Sequence, residues 1–176
     1  MGGPRKLRKK YTNPRKPWEG ARIESEKKLE EQYGLKNKRE IRAAQGELRK
    51  IRRMAREFLS EGKEGIEKGK VILKRLMRLG IASETTTLDD LLALDIHTIL
   101  GRRLQTILIK KGLARSPREA RQFIAHGHIA VNGKRVTSPS YMVKVDEEPT
   151  ITYYGDFNPK LQAPVKEEIK EGDKNG

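Results

Sequence analysis

The chain reads as an α+β protein. A mostly helical N-terminal region precedes a small helix-loop-helix-hairpin module, with a disordered basic arm in front and a charged tail behind. Three observations predict this. Between Lys38 and Ser60 the apolar residues Ile41, Ala44, Leu48, Ile51, Ala55 and Phe58 step by three and four, the period of an amphipathic helix. Ser116-Pro117 followed by Glu119 combines an N-cap, a proline suited to the first helical position and the third-position acid of a capping box. Asn132-Gly133 lies between HIAV and KRVT, and that pair marks a hairpin because both turn residues need positive φ.

In chain order, residues 1–18 form a basic arm. They hold Arg5, Lys6, Arg8, Lys9, Lys10, Arg15 and Lys16 with no acid before Glu19, and three prolines break up regular structure. Tyr11 and Trp18 are its rings; the segment buries too little to order itself and is available to settle on phosphates. Residues 19–101 are the helical region. Residues 20–33 read as a polar helix stopped by Gly34, and 38–60 as the amphipathic one. Gly62 and Gly65 mark a loop before a helix over about 66–79, with Ile66, Leu73, Leu76 and Met77 on its packing side. Thr87 with Asp90 opens a short helix by a capping box, and Asp95 opens another running to about Lys111 and ended by Gly112. The module occupies 102–159. Residues 160–176 are near charge balance with few apolar groups, a disordered tail.

Thirty-nine Lys and Arg against twenty-four Asp and Glu leave 176 residues with a net charge of +15. That much like charge opposes compaction, so a polyanion is the economical partner, with nucleic acid ahead of a membrane surface or an acidic protein. Cysteine is absent, which removes disulfides, thiolate chemistry and cysteine-based zinc sites. No apolar run approaches a membrane span and no secretory signal opens the chain, so a cytoplasmic location is expected. There is no glycine-rich phosphate loop, metal-ligand spacing or nucleophile paired with a base. No enzyme, cofactor, metal or small-molecule substrate is therefore expected.

The cations are patterned. On the amphipathic helix Lys38, Arg39, Arg42, Arg49, Lys50, Arg52, Arg53 and Arg56 leave the apolar stripe, and Arg75 and Arg78 continue on the next helix. In the module, Ala120, Phe123 and Ile124 clamp one side of the 117–125 helix while Arg118, Arg121 and Gln122 share the other, facing outward. Arg115 precedes that helix, Lys111 ends the one before it, and Lys134 and Arg135 leave the hairpin turn. Donors held on a rigid scaffold suit structured RNA, whose A-form helices are read through spacing, phosphates and 2′-hydroxyls. Arg102 lies outside its helix's apolar arc and is free to face RNA, whereas Arg103 lies inside it and is expected to snorkel or pair. Ser116 is a cap before it is a phosphate ligand, and Asn132 serves the turn first. His126 and His128 supply at most two metal ligands, so they are expected to cap the helix end and seat the hairpin, with one RNA hydrogen bond.

Residues 102–136, RRLQTILIKKGLARSPREARQFIAHGHIAVNGKRV, closely resemble the RNA-binding module named after the fourth protein of the small ribosomal subunit (the S4 module). The matching pieces are Arg102-Arg103-Leu104, Gly112-Leu113-Ala114, ARQ at 120–122, HGHI at 126–129, VNG at 131–133 and Pro139-Ser140-Tyr141. The module also occurs in pseudouridine synthases, tyrosyl-tRNA synthetases and heat-shock RNA binders, so an RNA-modifying enzyme and a free RNA chaperone are the alternatives. YTNPRKPWE at 11–19, YGLKNKREI at 33–41 and LMRLGI at 76–81 resemble the archaeal and eukaryotic form of the ribosomal protein family itself. That resemblance covers about 5–157. It implies a primary rRNA-binding protein that nucleates assembly of the five-prime domain. Its implied place is near the decoding region and the channel through which mRNA enters, beside neighbouring small-subunit proteins. The cysteine zinc site of some bacterial relatives is missing here. The family's Gly-Asp turn after Tyr141 is replaced by Asp146-Glu147-Glu148-Pro149, so the resemblance leaves the register of the last strands open.

Overall fold

A computed structural model describes residues 11–155. Seven helices and a three-stranded sheet follow one another: α1 (Gly20–Tyr33), α2 (Lys38–Ser60), α3 (Lys63–Arg78), α4 (Asp90–Ala93), α5 (Ile96–Gly101), α6 (Leu104–Lys110), α7 (Pro117–Ala125), β1 (Ile129–Val131), β2 (Lys134–Arg135) and β3 (Thr152–Tyr153). The expectation of a mostly helical region with a small mixed module is met at this level. The arm residues 1–10 and the tail 160–176 lie outside the described residues.

Local signals set several boundaries. Gly34 ends α1 at φ 58°, and Asn37 caps α2 by accepting from the Arg39 N–H at 3.0 Å. The Thr87–Asp90 box forms, with the Asp90 carboxylate accepting from the Thr87 N–H at 2.8 Å, although helical geometry begins only at Asp90. Ser116 caps α7 by accepting from the Glu119 N–H at 3.2 Å. Gly127 follows that helix at φ 76°. Asn132 and Gly133 take φ 51° and 72°, the mirror-image turn that matches strand twist, and pair Val131 with Lys134.

Two expectations are corrected. The single helix over 95–111 is two, α5 and α6, broken at Arg102–Arg103. The segment after the hairpin breaks it: the Leu104 N–H donates to the Tyr141 carbonyl at 2.8 Å and the Val143 N–H to the Arg102 carbonyl at 3.0 Å. A strand-like bridge between Arg103 and Met142 thus takes the backbone groups that a continuous helix would use. The second correction concerns α3, which starts at Lys63, contains Gly65 and packs Leu73 and Leu76 as expected but is turned away from Ile66. Ile66 is 51% exposed, and Gly65, Gly69 and Leu76 are its buried residues.

The glycines explain the exposure of Ile66. A Cβ on Gly65 would stand 1.9 Å from the Phe58 carbonyl oxygen of α2, and one on Gly69 2.8 Å from the Leu88 side chain. Only hydrogen fits where the helices meet. Gly65→Ala is therefore expected to destabilise: the helix propensity gained is about 0.5–1 kcal/mol, while overpacking against backbone costs about 1–3 kcal/mol. Chemical denaturation should show a lower midpoint.

Three apolar clusters hold these elements. Leu104, Ile107, Leu108, Ala120, Ile124, Ile129, Val131, Val143 and Ile151 pack α6 and α7 under the sheet. Leu35, Ile41, Ala44, Leu48, Ile99 and Leu100 join the α1–α2 turn to α5, and Ala55, Leu76, Ile81, Leu88 and Leu91 join α2, α3 and α4. The sheet order is β2-β1-β3, all antiparallel, with Ile129 opposite Tyr153. The acidic loop before β3 is compatible with that register because it is stapled. Glu147, almost fully buried, accepts from the Tyr141 hydroxyl at 2.9 Å, the Lys144 N–H at 3.2 Å and the Lys144 ammonium at 3.1 Å. Burial pushes its carboxyl up, but these donors outweigh it and hold the pKa below the ordinary value.

Candidate nucleic-acid interface

On α2 the residues Lys38, Arg42, Arg49, Arg53 and Arg56 recur at spacings of four, seven, four and three and so share one stripe. Arg49, Arg53 and Arg56 are exposed; Arg53 also pairs with Glu57 at 3.4 Å across one helical turn. Arg42 is half-buried and donates to Asn13 at 3.3 Å. Arg52, expected to face RNA, is half-buried, its guanidinium donating to the Leu94 carbonyl. Arg39 and Lys50 are exposed on a neighbouring line, as are Arg75 and Arg78 on α3.

The arm's described part joins this stripe. Arg22 donates to the carbonyls of Lys16 and Pro17, both at 2.8 Å, and to Glu26 at 2.9 Å. Lys38 stands 4.0 Å from the same, nearly buried Glu26. The chain is thus held at Lys16–Pro17, with Arg15 and Lys16 exposed and Trp18 91% exposed. Arg5, Lys6, Arg8, Lys9 and Lys10 lie outside the described residues.

A second cationic area surrounds α7 and the hairpin. Arg115, Arg118, Gln122 and His126 are exposed around the helix, and Lys134 and Arg135 at the turn. Ser116 is occupied as the cap, and Asn132 is tied back by the Thr150 hydroxyl, which donates to its Oδ1 at 2.6 Å. The Arg135 guanidinium lies over Gly127, where a Cβ would meet its Nε at 2.0 Å, and donates to the His126 carbonyl at 3.4 Å. That places a positive group at the C-terminal end of α7, where the helix dipole favours it. The His126 and His128 rings stack at 6.2 Å, and no group of three metal-ligating side chains exists among the described residues. Lys111 is half-buried at the end of α6.

Two further predicted surface arginines are elsewhere. Arg121 was expected to face outward with Arg118 and Gln122; instead it turns inward and meets Glu40 of α2 at 2.5 Å, with a longer contact to Gln105 Oε1 at 3.3 Å. Arg102 was expected to face RNA; it pairs with Glu148 at 2.9 Å and donates to the Val143 carbonyl at 3.1 Å. In each case a carboxylate distant in the chain captures a group that helical spacing alone leaves outside. Arg103 is paired, as its place in the apolar arc implies, and its partner is again Glu40 at 2.5 Å.

Glu40 is the residue that reading the sequence missed. One carboxylate receives two guanidiniums, from Arg103 before α6 and Arg121 on α7. Burial pushes its pKa up; the hydrogen bond and charge of Arg121 and the charge of Arg103 more than offset this, so it sits below the ordinary carboxylate value. Beside it the buried Gln105 amide donates to the carbonyls of Pro117, Gly34 and Tyr33 at 2.7, 3.0 and 3.1 Å. This polar joint ties the α1–α2 turn to α7, so the cations of α2 and those around α7 are carried by one connected scaffold. Pre-positioned donors of this kind lower the ordering cost of binding an extended polyanion.

Comparison with known proteins identifies the family. The S4 domain family model matches residues 102–148. A small ribosomal subunit protein uS4 of Ignicoccus hospitalis is 53% identical over 154 residues, covering 87% of this chain and 93% of that protein. Those of Methanococcus maripaludis and Saccharolobus islandicus are each 48% identical, over 179 and 175 residues. They cover 96% and 98% of this chain and 99% and 97% of the relatives. With a family module seated on α6, α7 and the hairpin, and likeness sustained along nearly the whole length, the chain belongs to the uS4 family of small ribosomal subunit proteins.

Proposed function

We propose that the protein is a structural, non-catalytic component of the small ribosomal subunit that binds rRNA directly. In this reading 102–159 is a helix-loop-helix-hairpin RNA-binding domain, 19–101 a helical rRNA-binding region, and 1–18 an arm that settles on phosphates. The observation that carries it is the pair of exposed cationic areas, along α2 and around α7 and the hairpin, joined through Glu40 and Gln105. Spaced, rigid guanidiniums recognise the contour of folded RNA and neutralise phosphates with release of counterions. The finer reading follows from the family resemblance: a primary binder that nucleates the five-prime domain, placed near the decoding region and the path by which mRNA enters, in the cytoplasm.

The structure changes which residues test it. Arg118→Gln with Lys134→Gln and Arg135→Gln removes three exposed charges without touching the Glu40 joint. We expect at least about a tenfold loss of affinity for folded small-subunit rRNA, or about 1.4 kcal/mol, with the far-ultraviolet circular dichroism unchanged. Unchanged affinity in a filter-binding titration would place the RNA on another face.

A further inference from the structure

Between α2 and α3, away from the Gly65 contact, the side chains leave a groove of about 460 Å³. Ile51, Met54, Ile72, Leu79, Ile99 and Met142 line it, and Lys50, Arg75, Arg78 and Lys144 stand around it with one acid, Glu47. Apolar surface continues past its edge. Val71, one turn before Arg75, is 73% exposed, and Val145, next to Lys144, is 46% exposed. Isolated exposed valines need no explanation, but two flanking an unfilled aliphatic groove extend one patch.

The cationic rim selects an anionic occupant, and two kinds of chain fit that charge. A nucleotide would place its base in the groove. No aromatic ring lines it for the base to stack on, and its charged lining residues Glu47, Lys50, Arg75, Arg78 and Lys144 are all exposed. The base edge would lose its hydrogen bonds on entering, which costs several kcal/mol in an aliphatic setting. A polypeptide needs neither. An amphipathic helix can lay residues spaced by three and four into such a groove, with its own backbone bonds satisfied internally. Its acidic flanks would meet Lys50, Arg75 and Arg78, whereas Lys144 is already shared with Glu147.

We propose that this groove is a docking site for an acidic amphipathic segment of another small-subunit polypeptide, making Lys50, Arg75 and Arg78 carboxylate partners instead of the phosphate ligands their charge alone suggests. The proposal rests on the reading of the chain as a subunit component, and one experiment separates the two. The full chain carrying the photo-crosslinker p-benzoylphenylalanine at Val71, or at Gln122 as an RNA-facing control, is assembled into small subunits that are purified on a gradient and irradiated. The expected result at Val71 is a nuclease-resistant protein–protein adduct. Mass spectrometry should map it to a segment with apolar residues at helical spacing and Asp or Glu beside them. Adding Lys50→Glu and Arg75→Glu should cut its yield about tenfold through like-charge repulsion. A nuclease-sensitive adduct at Val71, or none while Gln122 captures rRNA, overturns the docking site and leaves rRNA binding standing. Failure of every version to travel with the subunit overturns both.

Discussion

Glu40→Gln is expected to lower stability by about 3 kcal/mol, equivalent to about 6–12 °C in Tm for a chain of this size. The carboxylate is the shared acceptor of Arg103, whose side chain is only 7% exposed, and of Arg121. Removing it leaves one guanidinium nearly buried without its counter-charge, which costs more than the pair contributes while intact. The lower end of the range for breaking buried pairs applies because Arg121 retains some contact with water. A useful companion is Glu40→Leu with Arg103→Met and Arg121→Leu. Replacing the whole triad by apolar groups should recover most of the loss, since no charge is then stranded. The wild-type pH profile should carry the same signature. Glu40 and Glu147 have folded pKa values below their unfolded ones. Their contribution is therefore present above the ordinary carboxylate pKa and disappears as pH falls through the lowered folded values. Scanning calorimetry of wild type and Glu40→Gln should converge toward acid; a constant gap down to that range would show that the joint is not electrostatic.

The second large effect is on binding. If the exposed Arg49, Arg53, Arg56, Arg118, Lys134 and Arg135 each neutralise a phosphate, raising monovalent salt from about 50 to 200 mM should weaken binding to folded rRNA by about a thousandfold. The logarithm of the association constant should fall linearly with the logarithm of salt, with a slope of about −5. Substituting Arg118, Lys134 and Arg135 together should flatten that slope by about half, whereas Glu40→Gln should leave it nearly unchanged because Glu40 displaces no phosphate counterion. A flat response in the wild type would remove the electrostatic basis of the proposed function. The two variants thus distinguish residues that touch RNA from those that hold the touching residues in place.

Features determined within a few residues were legible in the sequence. The 38–60 helix, the Ser116 cap with Pro117, the Gly127 stop and the Asn132-Gly133 turn all depend on neighbours along the chain. Features decided by distant partners were not. Apolar periodicity runs unbroken through Ile99, Leu100, Leu104 and Ile107, so nothing local announces that residues 141–143 split the helix there. Helical spacing puts Arg121 beside Arg118, yet a carboxylate 81 positions earlier takes it out of that face. Formal charge has the same blindness: Arg102, Arg103 and Arg121 count toward the net +15 but are spent inside the molecule. Of the expected α3 face, the Ile66 edge was missed for a steric reason while Leu73 and Leu76 pack as expected. An apolar count favours Ile66, whereas the close approach at Gly65 and Gly69 sets which side meets α2.

Glu40 also imposes a timetable on synthesis. Its partners are made 63 and 81 residues after it. At about 5–20 residues per second, the nascent helices wait about 4–16 s before the second arginine is even polymerised. Until then the Glu40 carboxylate lacks one or both of its guanidinium partners, so the joint between the α1–α2 turn and α7 closes only after most of the chain has been made.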